Sequence, residues 1–126
     1  MTLARRELVL GLITAVTATP QHHQPMYGML GKMSTAPGKR DDVVTLLLAA
    51  VTAMPGCLSY VIALDAADAN GIWITEVWES KERHDASLSL PDVRQSIAAA
   101  RPFITGFSNQ VITTPIGGFG LPRPLR

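Results

Sequence analysis

The chain has few of the residues that build disulfide or metal frameworks. Cys57 is its single cysteine, so no disulfide can form within the chain. The three histidines, His22, His23 and His84, are not spaced with cysteine or carboxylates in the way that zinc sites are. We therefore predict no metal site, and we favour a buried structural thiol at Cys57 over a reactive one.

Charge of either sign is also scarce. Charged residues make up 17% of the chain, and 11 Lys and Arg stand against 10 Asp and Glu, giving a formal net charge of +1. No basic stripe of the kind that nucleic-acid-binding proteins present is visible. The composition predicts a small or apolar partner and no nucleic acid. A length of 126 residues suits one domain, which at this size often completes its core by dimerising.

No apolar run is long enough to span a membrane. The longest one, over residues 8–18, follows an arginine pair and ends in small residues, a pattern that resembles a twin-arginine export signal. The alternatives are an N-terminal helix that docks on the domain or on a partner, or a start codon assigned too far upstream. We interpret residues 1–25 as a leader and linker. The protein is expected to be cytoplasmic, or exported if residues 1–18 act as a signal, and the mature domain is expected to make no membrane contact.

Hydrophobic periodicity predicts the order β-α-β-β-α-β, with the second helix broken in two. Strands are predicted over residues 26–34, 57–64, 72–78 and 109–114. The first helix is predicted from Pro37, with an apolar face of Val44, Leu47, Leu48, Val51 and Met54. The later helices are predicted to begin at Ser80, as an N-cap, and at Pro91, the last with an apolar face of Val93, Ile97, Ala100 and Ile104.

This order is that of a ferredoxin-like α+β domain, a four-stranded antiparallel sheet with helices on one face. We expect the domain over residues 26–116 and a mobile tail over residues 117–126. The Asn70-Gly71 step favours left-handed backbone angles and predicts a hairpin between the second and third strands. The third strand is apolar on both sides while the helices cover one, so a second copy is expected to cover the other and form a homodimer.

The corner between the third strand and the next helix carries most of the chemistry. Trp73 and Trp78 are five residues apart and should point to opposite faces of the strand. Glu76 shares its face with Trp78, where a carboxylate is costly unless it is paired. It is predicted to pair with Lys32, Arg94 or Arg101, or to act as an acid or base with a raised pKa.

His84 lies one turn into the following helix. Imidazole groups exchange protons near neutral pH, so His84 is a candidate general base, although a lone histidine on a short helix is more often structural. Tyr27 and Tyr60 could donate hydrogen bonds to a phenol, or could simply pack. The predicted site has His84 and Glu76 as catalytic residues, and its substrate-binding residues are Trp78, Trp73, Tyr27, Met29 and Tyr60.

Three segments, MYGMLGKMSTAPGK, MPGCLSYVIALD and WITEVWESKERHDASLSLPDV, occur in that order. Together they resemble the antibiotic-biosynthesis-monooxygenase-like domains, including a branch named for quinol monooxygenases. The resemblance covers about residues 26–116 and implies a dimeric α+β barrel. It also implies an oxygenase that uses O₂ as co-substrate with neither cofactor nor metal. The haem-degrading branch has an Asn, a Trp and a His where this chain has Gly31, Ser87 and Ile97, so haem is not expected.

Two functions remain open from the sequence. One is a cofactor-independent monooxygenase of a small quinol or phenolic aromatic, which needs an apolar pocket and a base. The other is a non-catalytic dimeric module that binds an apolar ligand or stabilises a neighbouring enzyme. The same fold hosts several functions, so the choice depends on the site.

Overall fold

The computed structural model describes residues 24–122, so the predicted leader up to residue 23 and the last four residues of the tail lie outside it. The elements are strands β1 (Tyr27–Thr35), β2 (Cys57–Leu64), β3 (Gly71–Trp78) and β4 (Ile104–Thr113), and helices α1 (Arg40–Ala50), α2 (Lys81–Ser87) and α3 (Pro91–Ala100). A single 3-10 turn, Arg101–Phe103, joins α3 to β4. The predicted ferredoxin-like order, with its second helix in two pieces, is confirmed.

The four strands form one antiparallel sheet in the order β2-β3-β1-β4. β3 therefore has a partner on each side, with Glu76 opposite Met29 of β1 and opposite Tyr60 of β2. Side chains of directly opposed residues in an antiparallel pair project from the same face. This register brings Met29, Tyr60 and Glu76 together on the face that the helices cover.

The core lies between this face and helices α1 and α3. Its buried residues are Met33, Val43, Ile72 and Ala100. The predicted apolar face of α1 is confirmed at Val44 and Leu47, which pack against this core, and wrong at Leu48, which is 54% exposed, while Val43 is fully buried. Each residue turns a helix by about 100°, so Val43 and Leu47, one turn apart, face the core while Leu48 lies towards the solvent side.

Single residues determine where α2 begins and where α3 ends. Ser80 caps α2 by accepting a hydrogen bond from the backbone N–H of Arg83 at 3.2 Å, as predicted. The predicted extension of the last helix to Ile104 is wrong. Pro102 has no N–H for a helical hydrogen bond, and α3 ends at Ala100 so that Ile104 begins β4.

β4 is longer than predicted and contains a β-bulge. Ser108 lies opposite Lys32, and Val111 lies opposite Leu30. Two residues of β4, Asn109 and Gln110, are therefore opposed by the single β1 residue that lies between Leu30 and Lys32. Asn109 adopts φ 53°, a left-handed angle that asparagine tolerates better than most residues. The bulge breaks the alternation of apolar and polar residues, which explains why the first half of this strand is not evident from the sequence.

The β2–β3 hairpin forms as predicted, but not through left-handed angles at Asn70-Gly71, neither of which has a positive φ. The Asp65 carboxylate instead accepts hydrogen bonds from the backbone N–H groups of Ala67 and Asp68 at 2.8 and 2.9 Å. Arg40 of α1 donates to the carbonyl of Asp68 at 2.9 Å. Side chains thus hold this turn and tie it to the first helix.

The opposite face of the sheet carries apolar side chains with no helix over them in the part of the chain that the structure describes. Val61 is 52% exposed and Val111 49% exposed, and Leu30 and Val77 are half-buried. We call this surface, with Val61, Val111, Leu30 and Val77, the open sheet face. Over residues 24–122, no helix is long and apolar enough to cross a membrane.

Candidate active site

An apolar cavity of about 290 Å³ lies between the sheet and the helices. Its walls come from all four strands and from the helical segments, with apolar residues Met29, Met33, Leu47, Ile74, Leu88, Ile97, Ala100, Ile104 and Phe107. A smaller chamber of about 90 Å³ adjoins it and shares Leu47, Tyr60, Glu76, His84, Leu88 and Ile97. The polar groups Tyr60, Glu76 and His84 therefore lie where the two chambers meet.

Glu76 is a buried carboxylate with two neighbours that compensate its charge. Its Oε1 accepts a hydrogen bond from Trp78 Nε1 at 2.8 Å and lies 3.4 Å from His84 Nε2. Burial raises the pKa of Glu76, although the Trp78 indole and the nearby imidazole partly oppose that rise. The pair thus places an exchangeable proton at the junction of the chambers.

His84 is held on all sides. Its side chain is 12% exposed, and Nδ1 lies 3.0 Å from the Asp85 carboxylate, which favours the tautomer that carries a proton on Nδ1. The ring also packs against Tyr27, with centroids 5.1 Å apart, and against the Trp78 edge at 5.6 Å. These contacts direct Nε2 towards Glu76 and the cavity.

Tyr60 contributes a neutral hydroxyl to both chambers. Desolvation by burial, followed by the charge of Glu76, raises the pKa of Tyr60 well above the ordinary phenolic range. The hydroxyl therefore stays protonated at neutral pH. It can donate a hydrogen bond to an oxygen atom in the cavity.

The structure brings five of the seven predicted site residues to the cavity. His84, Glu76, Trp78, Tyr60 and Met29 line the cavity or its smaller chamber.

Tyr27 packs against the His84 ring and is not among the residues that line either chamber. Trp73 projects from the opposite face of the sheet, as its five-residue offset from Trp78 predicts, and donates from Nε1 to the Asp65 carboxylate at 2.8 Å. Trp73 therefore stands away from this cavity.

The predicted partners of Glu76 are wrong. Lys32 instead forms ion pairs with Asp65 at 3.3 Å and Asp68 at 2.9 Å. Arg94 and Arg101 line a separate surface groove. The sheet register and the position of α2 supply Trp78 and His84 as the neighbours of Glu76, and neither relation is visible in a linear sequence.

Several residues of the site were not predicted. Asp85 contacts His84 directly at 3.0 Å, from a half-exposed position on α2. Phe107 and Gln110 reach the cavity from β4, and Gln110 Nε2 donates to Met29 Sδ at 3.3 Å. The available signal for the helical wall was the position of Leu88, four residues or about one helical turn after His84.

This arrangement suits proton transfer inside an apolar space. His84 Nε2 can accept a proton from a bound acid, and two carboxylates lie next to the imidazole to stabilise the cation that results. No group of three or more His, Cys, Asp or Glu side chains within residues 24–122 is placed to hold a metal ion.

The chain is similar in sequence and in fold to a known protein family. The sequence profile of the antibiotic biosynthesis monooxygenase family matches residues 26–99. Among solved structures, a candidate antibiotic biosynthesis monooxygenase from Chloroflexus aurantiacus is 50% identical, with a TM-score of 0.75 over 77% of this chain and 99% of its own. No curated protein matches the chain.

More distant structures share the fold. A protein from Pseudomonas aeruginosa is 16% identical, with a TM-score of 0.68 over 77% of this chain and all of its own. A candidate antibiotic biosynthesis monooxygenase from Caulobacter crescentus is 20% identical, with a TM-score of 0.62 over 73% of this chain and 89% of its own. The profile match and the Chloroflexus structure together establish that this chain belongs to the antibiotic biosynthesis monooxygenase family.

Proposed function

We propose that this protein is a cofactor-independent monooxygenase of a small quinol or phenolic aromatic, with O₂ as its co-substrate. The observation that carries the proposal is the Glu76–His84 pair at 3.4 Å, which is buried where the two apolar chambers meet. Groups that exchange protons at the polar end of an apolar pocket are typical of catalytic sites.

The apolar walls select the substrate class. A volume of about 290 Å³, with a smaller chamber of about 90 Å³ beside it, lies at the lower end of the range of ligand pockets and suits one or two aromatic rings. Met29, Ile74 and Leu88 offer contact surface without hydrogen bonds. The hydroxyl of the ring would lie at the polar end, near His84 and Tyr60.

The reaction begins with ionisation. His84 Nε2 accepts the phenolic proton, and Glu76 and Asp85 stabilise the imidazolium that forms. Tyr60 donates a hydrogen bond to the phenolate oxygen. The electron-rich phenolate then reacts with O₂: the substrate supplies two electrons and two protons, one oxygen atom enters the product and the other leaves as water.

We also propose that the protein acts as a homodimer joined through the open sheet face. Exposed apolar side chains such as Val61 and Val111 support this assembly because monomeric soluble proteins rarely leave a large contiguous apolar surface in water. The cavity lies on the other side of the sheet, so dimerisation leaves it accessible.

Oxygen uptake tests the activity. The protein, stripped with chelator and shown by absorbance to be free of flavin, is mixed anaerobically with a panel of quinols and anthrones, and O₂ is then added. Consumption of O₂ above the rate of autoxidation supports the proposal. If the protein binds phenols in the cavity but consumes no O₂ with any of them, the non-catalytic ligand-binding module is the better account.

A further inference from the structure

A second groove adjoins the cavity on its outer side. It has a volume of about 430 Å³ and is lined by Leu88, Arg94, Ile97, Ala98 and Arg101. Leu88 and Ile97 also line the cavity, so these two side chains form a wall common to both spaces. A ligand that fills the cavity and extends past them would reach the two arginines.

These arginines differ from the other cations between residues 24 and 122. Five of the seven have partners: Lys32 pairs with Asp65 and Asp68, Lys39 with Asp42, Lys81 with Asp85, Arg83 with Glu79, and Arg40 donates to backbone carbonyls. Within the same range, Arg94 and Arg101 form no ion pair and no side-chain hydrogen bond. Among residues 24–122, no carboxylate oxygen lies within 4.0 Å of either guanidinium group.

Their spacing suits one anionic group. Arg101 follows Arg94 by seven positions, which is about two helical turns or roughly 10 Å along the axis. Arg94 lies on α3 and Arg101 is its C-cap residue, and two such long side chains can converge over that distance on a ligand between them, above Ile97 and Ala98. Arginine presents a planar fork of donors that matches a carboxylate.

The positions of the charged groups predict how a ligand would be oriented in the cavity. The Glu76 carboxylate lies at the inner end and would repel a ligand carboxylate, whereas the arginines lie beyond the Leu88–Ile97 wall. We infer that the substrate is an acidic aromatic, a quinol or phenol with a carboxylate on a side chain, which Arg94 and Arg101 bind while the hydroxylated ring occupies the cavity. The identity of the ring rests on the proposed function; the anion site does not.

A matched series of acids and amides tests this inference. The 2,5-dihydroxyphenyl alkanoic acids with one to three methylene groups are compared with their primary amides, which have the same size but no charge. For the native protein, at least one acid should show a KM roughly tenfold below that of its amide, a difference typical of a charge-assisted contact. The preference should weaken as salt is added.

The double variant Arg94→Gln/Arg101→Gln should lose this preference, with the KM of the acid rising to that of the amide. Arg83→Gln serves as the control for loss of an exposed arginine and should keep the preference, since Arg83 pairs with Glu79 and lines neither space. If the native protein does not distinguish acid from amide, or if the double variant still does, the inference is wrong.

Binding measurements separate this inference from the proposed activity. Calorimetric titration with 3-(4-hydroxyphenyl)propionate and its amide, neither of which is a quinol, reports binding without turnover. An acid preference that the double variant abolishes supports the anion site even if no quinol is oxidised, in which case the monooxygenase proposal alone fails. Equal affinities for acid and amide overturn the anion site, even if oxygen uptake is observed.

Discussion

At the scale of single residues, the Glu76 carboxylate is the least expected feature of the interior. A buried carboxylate destabilises a fold unless hydrogen bonds and opposite charge compensate it. Trp78 Nε1 donates one hydrogen bond to Glu76 and the His84 imidazole lies at 3.4 Å, yet burial still raises the pKa of Glu76. The fold therefore retains an ionisable group that a purely structural core would replace.

This cost should be measurable as a dependence of stability on pH. The pKa of Glu76 is higher in the folded than in the unfolded chain, so the fold favours the protonated side chain. This contribution to stability is complete below the ordinary pKa of about 4.3 and is lost as pH rises through the folded value. Glu76→Gln cannot ionise. The variant should gain stability relative to the native protein as pH rises from about 4 to 7.

Urea unfolding of both proteins at several pH values measures this difference. Glu79→Gln, a change of the same type at a half-exposed position, is the control and should show little trend. If the free energy of unfolding of Glu76→Gln, relative to that of the native protein, stays constant or falls as pH rises, the assigned burial of the Glu76 charge is contradicted.

At the scale of elements, the β2–β3 hairpin depends on Asp65. Its carboxylate accepts from Trp73 Nε1 at 2.8 Å and from two backbone N–H groups, and it pairs with Lys32. The Trp73 indole, and then those backbone donors, hold the pKa of Asp65 well below its usual range. One side chain therefore joins the turn to β1 and β3.

Asp65→Asn should lower the thermal unfolding midpoint at neutral pH. A lowered folded pKa contributes stability above the unfolded value, about 3.9 for aspartate, and that contribution is lost as pH falls through the folded value. The deficit of the variant should therefore shrink in acid. Trp73→Phe, which removes only the indole donor, should reproduce part of the loss. An equal deficit at pH 7 and in strong acid would count against this account.

The same elements show how much the sequence could predict. The order of strands and helices, the Ser80 cap and the β2 boundaries are local properties, and all agree with the structure. The bulge at Asn109 and the burial of Val43 rather than Leu48 on α1 are set by packing against other elements, so local patterns could not predict them.

The candidate site was predictable to a similar extent. The strand alternation of β3 placed Glu76 and Trp78 on one face and Trp73 on the other, which the structure confirms. The contact of His84 with Glu76 joins two elements, and Phe107 and Gln110 come from a strand whose first half was missed. Residue types indicated the chemistry, but only the fold shows which groups meet.

At the scale of the whole molecule, the open sheet face governs assembly. The native protein should have twice the chain mass of 13.5 kDa in light scattering after size-exclusion chromatography. Val61→Lys/Val111→Lys would bury two charges between the sheets, so this double variant should elute as a folded monomer.

Leu48→Lys provides a matched control. Leu48 is as exposed as Val61 but lies on α1, on the other side of the molecule, so this variant should remain dimeric. A native protein that is monomeric at micromolar concentration, or a dimer that tolerates lysine at both valines, would contradict assembly through the open sheet face.

The central claim is that His84 takes the proton from a phenol inside the cavity. Its most direct test is single-turnover oxygen uptake by the native protein and by His84→Ala, with absorbance recorded before O₂ is added. The native protein should show the phenolate spectrum of the bound quinol and then rapid uptake. His84→Ala should bind the quinol un-ionised and react about 10²–10⁴-fold more slowly, with its fold and its dimer intact. Full oxygen uptake by His84→Ala would contradict the account.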